Sequence, residues 1–350
     1  VPGDLLKAAD VTALSINNAT QQETNMELKM ETEKFTLDPA IREQFKIRSN
    51  WRGALSLARD WSLLVLAFAI SILWPNPLSF VVAVLLLSAV HIGLAVLSHE
   101  AAHRSLFANA KLNDWVGQYL CALPNFNNMP MYRSYHMTHH RNAGTKNDPD
   151  LVMVQAYPIT KARLRRRLLR DLSGQSGIKF LIGAVGMSSG YWKFQQTGVV
   201  ERIQYAAPMT FWSYLRIFVR NGGAISVLWQ FAIWGALYAM GHGWLYLLWV
   251  AAYCIPFPFF MRIRLLADHA VVQDQYSTNP LDHARSTQAN WLEKLLLVPH
   301  NEHYHLEHHL MPSAPHWYLP KLHAILVEQG VIPPANQASG MVDVLRRVTV

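Results

Sequence analysis

The chain has 350 residues, of which 51% are apolar and only 15% charged, against roughly 25% charged in an average soluble domain. That balance excludes disorder, a coiled coil and an acidic solvating tail, and a mean hydropathy of +0.08 fits a few membrane spans joined to a sizeable polar body. Two cysteines, Cys121 and Cys254, exclude a disulfide framework and a four-thiolate zinc site.

Residues 1–35 are polar, lack the apolar core and cleavage site of a secretory signal, and read as a poorly ordered tail. The expected domain covers 36–325, and 326–350 reads as a C-terminal tail. Four apolar stretches lie within the domain, at about 58–74, 78–98, 224–240 and 244–261, to be compared with the about 20 residues of helix that cross a bilayer core. They pair as hairpins. Pro75, Asn76 and Pro77 join the first two, and Gly241, His242 and Gly243 join the last two. Pro256 and Pro258 predict a kink or an early end in the fourth. Neither turn holds any of the 31 Lys and Arg. The cations lie in the other polar regions, which four spans place on one face, and the positive-inside rule makes that face cytoplasmic. Both termini are expected there. The net charge of +8 is therefore assigned to the membrane surface, not to nucleic acid. The stretch 161–170 (KARLRRRLLR) sets apolar residues among six cations and reads as an interfacial helix on anionic headgroups.

Histidine spacing is the main chemical signal. His99 and His103 stand four apart just beyond the second stretch. His136, His139 and His140 form a second cluster, and His305, His308 and His309 a third. Positions i, i+3 and i+4 share a helix face, so each cluster can aim its imidazoles at one point on the cytoplasmic side. Eight imidazoles exceed the three or four protein ligands of one zinc ion and suggest two metals. Two irons in such a shell would activate dioxygen beside the membrane. His269 is a further candidate ligand, and Asp268, Glu307 and Glu100 are candidates to orient ligands through hydrogen bonds. His91 lies inside the second span and either lines a substrate channel or bonds a neighbouring helix. Other readings are a zinc protease using His99, Glu100 and His103, which leaves two clusters idle, and a non-catalytic metal or haem carrier.

With HEAAH at 99–103, HMTHH at 136–140, NDPDL at 147–151 and NEHYHLEHHLMPSAPHWYLPKLH at 301–323, the chain resembles the membrane fatty-acid desaturases, a family with related hydroxylases and ketolases. The likeness covers about residues 50–325. It implies an all-α fold: a four-helix transmembrane bundle under a helical cytosolic cap that holds two irons. The implied ligands are His99, His103, His136, His139, His140, His305, His308 and His309, with His269 matching a ninth. His303 competes with His305 for the first place in the third box, and the spacing favours His305. The implied reaction removes two hydrogens from an acyl chain, using dioxygen and two external electrons. No His-Pro-Gly-Gly haem signature occurs, so a separate donor of ferredoxin or cytochrome type is expected.

A lipid or acyl substrate lies in the bilayer, so an apolar tunnel should reach from the oxidant into it. Trp115, Tyr119, Phe126, Tyr132 and Tyr135, between the first and second boxes, are candidates for its wall or for interface anchors. The leading expectation is a lipid acyl desaturase, and the alternative on the same ligand set is a lipid, alkyl or carotenoid hydroxylase or ketolase.

Overall fold

The computed structural model describes residues 35–350. The expected N-terminal tail lies outside them, apart from its last residue. The body from Leu37 onward is mostly helical, and its only named strands among the described residues are two short parallel ones, β1 (Ser286–Thr287) and β2 (Gln337–Ala338), in the register Ser286 to Gln337.

Helix α1 (Asn50–Leu73) and helix α2 (Pro77–Ala102) form the first hairpin. The turn is written in its residues. Asn76 Oδ1 accepts from the backbone N–H groups of Leu78 and Ser79 at 3.0 and 3.1 Å, and the Asn76 N–H donates back to Ser79 Oγ. This capping box, with proline at the first helical position, restarts the chain as a helix. Helix α2 is apolar on every side and takes the centre. Leu87, Val90, Leu94 and Leu97 pack against Leu64 and Phe68 of α1 and against Trp249 and Ala252 of the later hairpin. The outer faces stay apolar and exposed, as at Val65, Leu73, Leu228 and Phe231.

The second hairpin is less regular. Helix α6 (Phe211–Arg220) and helix α7 (Gly223–Ala239) meet at 67°. Gly222 makes the corner with φ +83°, a conformation open to glycine. Helix α8 (Tyr246–Cys254) gives way to α9 (Pro256–His269) at the expected proline, whose ring and missing N–H interrupt the ladder. The apolar path nevertheless runs from Gly243 to His269, 27 residues. The fourth stretch therefore ends at His269 itself, not two turns before it. By length and composition three helices can cross a membrane: Asn50–Leu73, Pro77–Ala102 and Gly243–His269. There are four if α6 and α7 count as one broken span.

The remaining helices that bear on the site are α3 (Met129–Asn142), α4 (Lys161–Leu172), α5 (Gln175–Ser188), α10 (His305–Leu310) and α11 (Met341–Arg347). Helix α4 carries the basic stretch. Its buried Asp171 pairs with Arg262 of α9, while Leu169 and Leu172 stay exposed. The segment 326–350, expected to trail as a tail, packs into the body instead. Met341, Val344 and Val348 join Ile92, Val96 and Phe260 in one apolar cluster, β2 pairs with β1, and the Ile159 N–H donates to Val348 O at 3.0 Å. The apolar spacing of α11 is too brief to show this in sequence.

Candidate metal centre

Four elements end at one place. The last turn of α2 supplies His99, and His103 is its C-terminal cap. Helix α3 starts at Asn128, whose side chain accepts from the Met131 N–H, and carries His136, His139 and His140 in its last two turns. Helix α9 ends on His269, and the short, wholly buried α10 brings His305, His308 and His309. The sequence spacing puts each set on one face, and the fold turns those faces toward each other.

The nine imidazoles separate into two adjoining groups. In the first, one ring nitrogen from each of His99, His103, His136, His140 and His308 lies within 4.8 Å of all the others. The Nε2 atom of His136 is 2.9 Å from that of His103 and 3.0 Å from that of His140, which is 3.0 Å from His308 Nε2. In the second, His139, His269 and His309 meet by the same measure. His305 joins them, its Nε2 3.0 Å from His269 and 3.2 Å from His309. His140 and His309 stack at 4.5 Å between ring centroids where the groups touch. His303 stays outside, against Tyr304.

The family model for fatty acid desaturases matches residues 73–335, the stretch that holds all nine. The chain belongs to the fatty acid desaturase family. It is also 29% identical over 285 residues to the dihydrorhizobitoxine desaturase of Bradyrhizobium elkanii, covering 80% of this chain and 76% of that one. To the beta-carotene ketolase of Paracoccus sp. (strain PC1) it is 26% identical over 252 residues, or 70% and 80%. The family is membrane-bound and metal-dependent, and its members named here are oxidoreductases.

The side chains of this desaturase-family protein fit a metal pair on their own geometry. A neutral imidazole has one N–H and one lone pair. The Nδ1 atom of His139 faces Asp148 at 2.7 Å, and that of His269 faces the carbonyl of His283 at 3.0 Å. In the neutral form both carry their proton on Nδ1 and turn a bare lone pair inward. Both nitrogens of buried His99 lack a hydrogen-bond partner among the described residues. Facing lone pairs repel, and a cation between them turns that repulsion into ligation. Electrostatics prepare the set. Burial first, then the neighbouring charges, pull His103 down to about 3, and the same causes hold His136, His140, His305, His308 and His309 well below the usual imidazole range. These rings are free bases at neutral pH. His139 differs. Burial lowers it, but the hydrogen bond to Asp148 and the charges of Asp150 and Asp148 outweigh that and raise it above 6.5.

The expected supporting residues fare unequally. Asp268 stands 4.0 Å from His305 Nδ1 and pairs with Arg264 at 3.6 Å. Glu100 turns away from the rings: it accepts from Ser105 Oγ at 2.9 Å and the His316 N–H at 3.0 Å. Held there, it is not placed as a protease base, and His99 and His103 belong to a five-imidazole group. Glu307 also faces away, to Ser286 Oγ and to His323 Nδ1 at 2.6 Å. His91 is fully buried and bonds helix to loop, with Nδ1 2.7 Å from Asn125 Oδ1 and Nε2 3.3 Å from Trp249 O. Trp115 is half exposed and rests on Tyr119, away from the imidazoles. Phe126 packs on Tyr253, and Tyr135 donates to Asp150. Only Tyr132 of the aromatic set faces the centre, stacked on His136 at 5.2 Å.

Sequence reasoning missed Glu302, Asp148 and Asp150 as partners of the rings. Buried Glu302 pairs with Arg264 and sets one oxygen 3.8 Å from His99 Nδ1 and the other 3.5 Å from His305 Nδ1. Asp148 and Asp150 lie in the NDPDL motif, which signalled likeness without a role.

Proposed function

We propose that the chain is a membrane-bound, dioxygen-dependent di-iron oxidoreductase that introduces a double bond into a lipid or acyl chain. One observation carries this: nine imidazoles, mostly free bases, converge in two adjoining groups at the ends of apolar helices long enough to span a bilayer. The two groups would each hold one iron, the first through His99, His103, His136, His140 and His308, the second through His139, His269, His305 and His309. Iron there supplies dioxygen activation and hydrogen abstraction from an unactivated carbon.

The protein's own part is placement. Asp148 orients His139 through the Nδ1 proton, and buried Glu302 sets its negative charge 3.8 Å from His99 Nδ1 and 3.5 Å from His305 Nδ1. Tyr132 stacks on His136 and fixes its ring plane. The surrounding apolar residues exclude water from the reacting carbon, and proximity then selects which hydrogen is removed. Desaturation removes two hydrogens and two electrons from the substrate. Reducing dioxygen to two waters takes four electrons, so two arrive from a separate carrier of ferredoxin or cytochrome type. The basic regions, the imidazole groups and both termini lie on the cytoplasmic face in this reading, with four spans, the third being the bent α6–α7 pair, and a helical cap. The amphipathic helix α4 rests on anionic headgroups.

A second reading, hydroxylation or ketolation of a lipid or carotenoid, draws support from the ketolase relative. Lipid profiling of a host expressing wild type and His308→Ala under labelled dioxygen separates them. The desaturase reading expects a new double bond, no label in the product, and loss of both activity and iron in His308→Ala. Label retained in the product favours the second reading. Full activity in His308→Ala, or in His139→Ala, overturns the site.

A further inference from the structure

The two imidazole groups differ in what stands behind their rings. In the second group, His139 Nδ1 has Asp148 at 2.7 Å and Asp150 at 3.5 Å, and His305 Nδ1 has Glu302 at 3.5 Å and Asp268 at 4.0 Å. In the first group the nearest carboxylate is Glu302, 3.8 Å from His99. Among the described residues, none comes within 4.0 Å of a ring nitrogen of His103, His136, His140 or His308. Compensation differs as well. Arg264 is paired with Glu302 and Asp268 and offsets their charge. No lysine or arginine among the described residues pairs with Asp148 or Asp150. Besides His139, Asp150 receives the Tyr135 hydroxyl, and Asp148 accepts the Asp150 N–H at 2.9 Å.

A carboxylate on the far N–H of an imidazole draws that proton toward itself, raises electron density at the other nitrogen and makes it a stronger donor. We infer that the two metal positions are unequal, and that the one held by His139, His269, His305 and His309 binds its ion more tightly and favours the higher oxidation state, with Asp148 and Asp150 as the positioning residues responsible. This rests on the two-metal reading above and adds the order in which the positions fill and oxidise.

The test is anaerobic titration of metal-free full-length protein with iron(II) alone, followed by Mössbauer spectroscopy with enriched iron, on wild type and on Asp148→Asn/Asp150→Asn. Asparagine keeps the turn acceptor and removes only the charge. Wild type is expected to bind two irons in two steps with two distinct quadrupole doublets. The double variant is expected to lose about 10- to 100-fold in affinity at the tighter step, with the matching doublet altered and the other unchanged. Asp148→Glu should restore most of the loss. Equal weakening of both steps, or no change in the tighter one, overturns the inequality while leaving two metals in place. Fewer than two irons in wild type brings down the two-metal reading itself. Should the double variant fail to fold, wild type still decides: one affinity and one doublet for both irons overturn the inference.

Discussion

His91 illustrates how a polar side chain inside an apolar helix is held: Nδ1 stands 2.7 Å from Asn125 Oδ1, which takes the single N–H of a neutral ring, and the ring lies against Trp249 at 3.8 Å between centroids. His91→Leu strands Asn125 Oδ1, and the expected cost is about 1–3 kcal/mol of stability, read as a lower thermal midpoint with metal content unchanged. A changed product with an unchanged midpoint would make His91 a channel residue after all. His316 gives a pH dependence. It is buried beside Ser56 Oγ (3.0 Å), its N–H donates to Glu100, and it lies near His300 and Arg59. Burial, then the charges of His300 and Arg59, hold it well below 6.5. The unfolded chain, with an ordinary imidazole, binds more protons below about pH 6.5, so stability falls as the pH drops through that value and is flat above it. One group contributes a slope of at most about 1.4 kcal/mol per pH unit. His316→Asn should flatten this acid limb when thermal midpoints are compared between pH 5 and 8, and an unchanged slope would remove His316 as its source.

At the scale of elements, a glycine in the first hairpin leaves room for a buried carboxylate. A Cβ on Gly93 of α2 would sit 2.4 Å from a carboxylate oxygen of Asp60. That buried carboxylate bonds Arg59 at 2.6 Å and His300 Nε2 at 2.8 Å, tying α1 to the loop that leads into α10. Gly93→Ala therefore forces α1 from α2 or displaces Asp60 from His300. The expected cost is about 1–3 kcal/mol, the range for overpacking a close-packed interior, with reduced metal retention because α10 loosens. Wild-type stability in this variant would show that the pair can spread without strain. Helix α9 makes a related point. The break before Pro256 redirects the chain, yet the helix resumes for 14 residues and delivers His269 to the second group.

Across the whole molecule, the imidazole groups, the basic helix α4 and the packed C-terminal segment gather at one end of the apolar helices. The two tight turns, at Asn76 and at His242, mark the other end. Single cysteines placed at these turns, in a background where Cys121 and Cys254 are replaced, should react with impermeant reagent from outside intact cells. A cysteine at exposed Lys146 should react only after the membrane is opened. Labelling of Asn76 or His242 from the same side as Lys146 would break the four-span topology.

The residues that meet around the centre were legible as patterns. Four-residue spacing in His99 and His103, and the 3,1 spacing in the other two boxes, dictate shared helix faces whatever lies around them, just as apolar run length dictates which helices can cross a bilayer. The division of nine rings into five and four was not legible, nor was the assignment of Asp148 to His139 or of Glu302 to both groups. His140 and His308 touch across 168 residues, and no local rule sets such a distance. Glu100 and Glu307 read as ring partners because they sit beside histidines in the chain. On a helix, adjacent residues point about 100° apart, so those carboxylates face away, and the ones behind His139 and His99, Asp148 and Glu302, come from other segments. Periodicity decides what shares a face; only the packing of distant segments decides what that face meets.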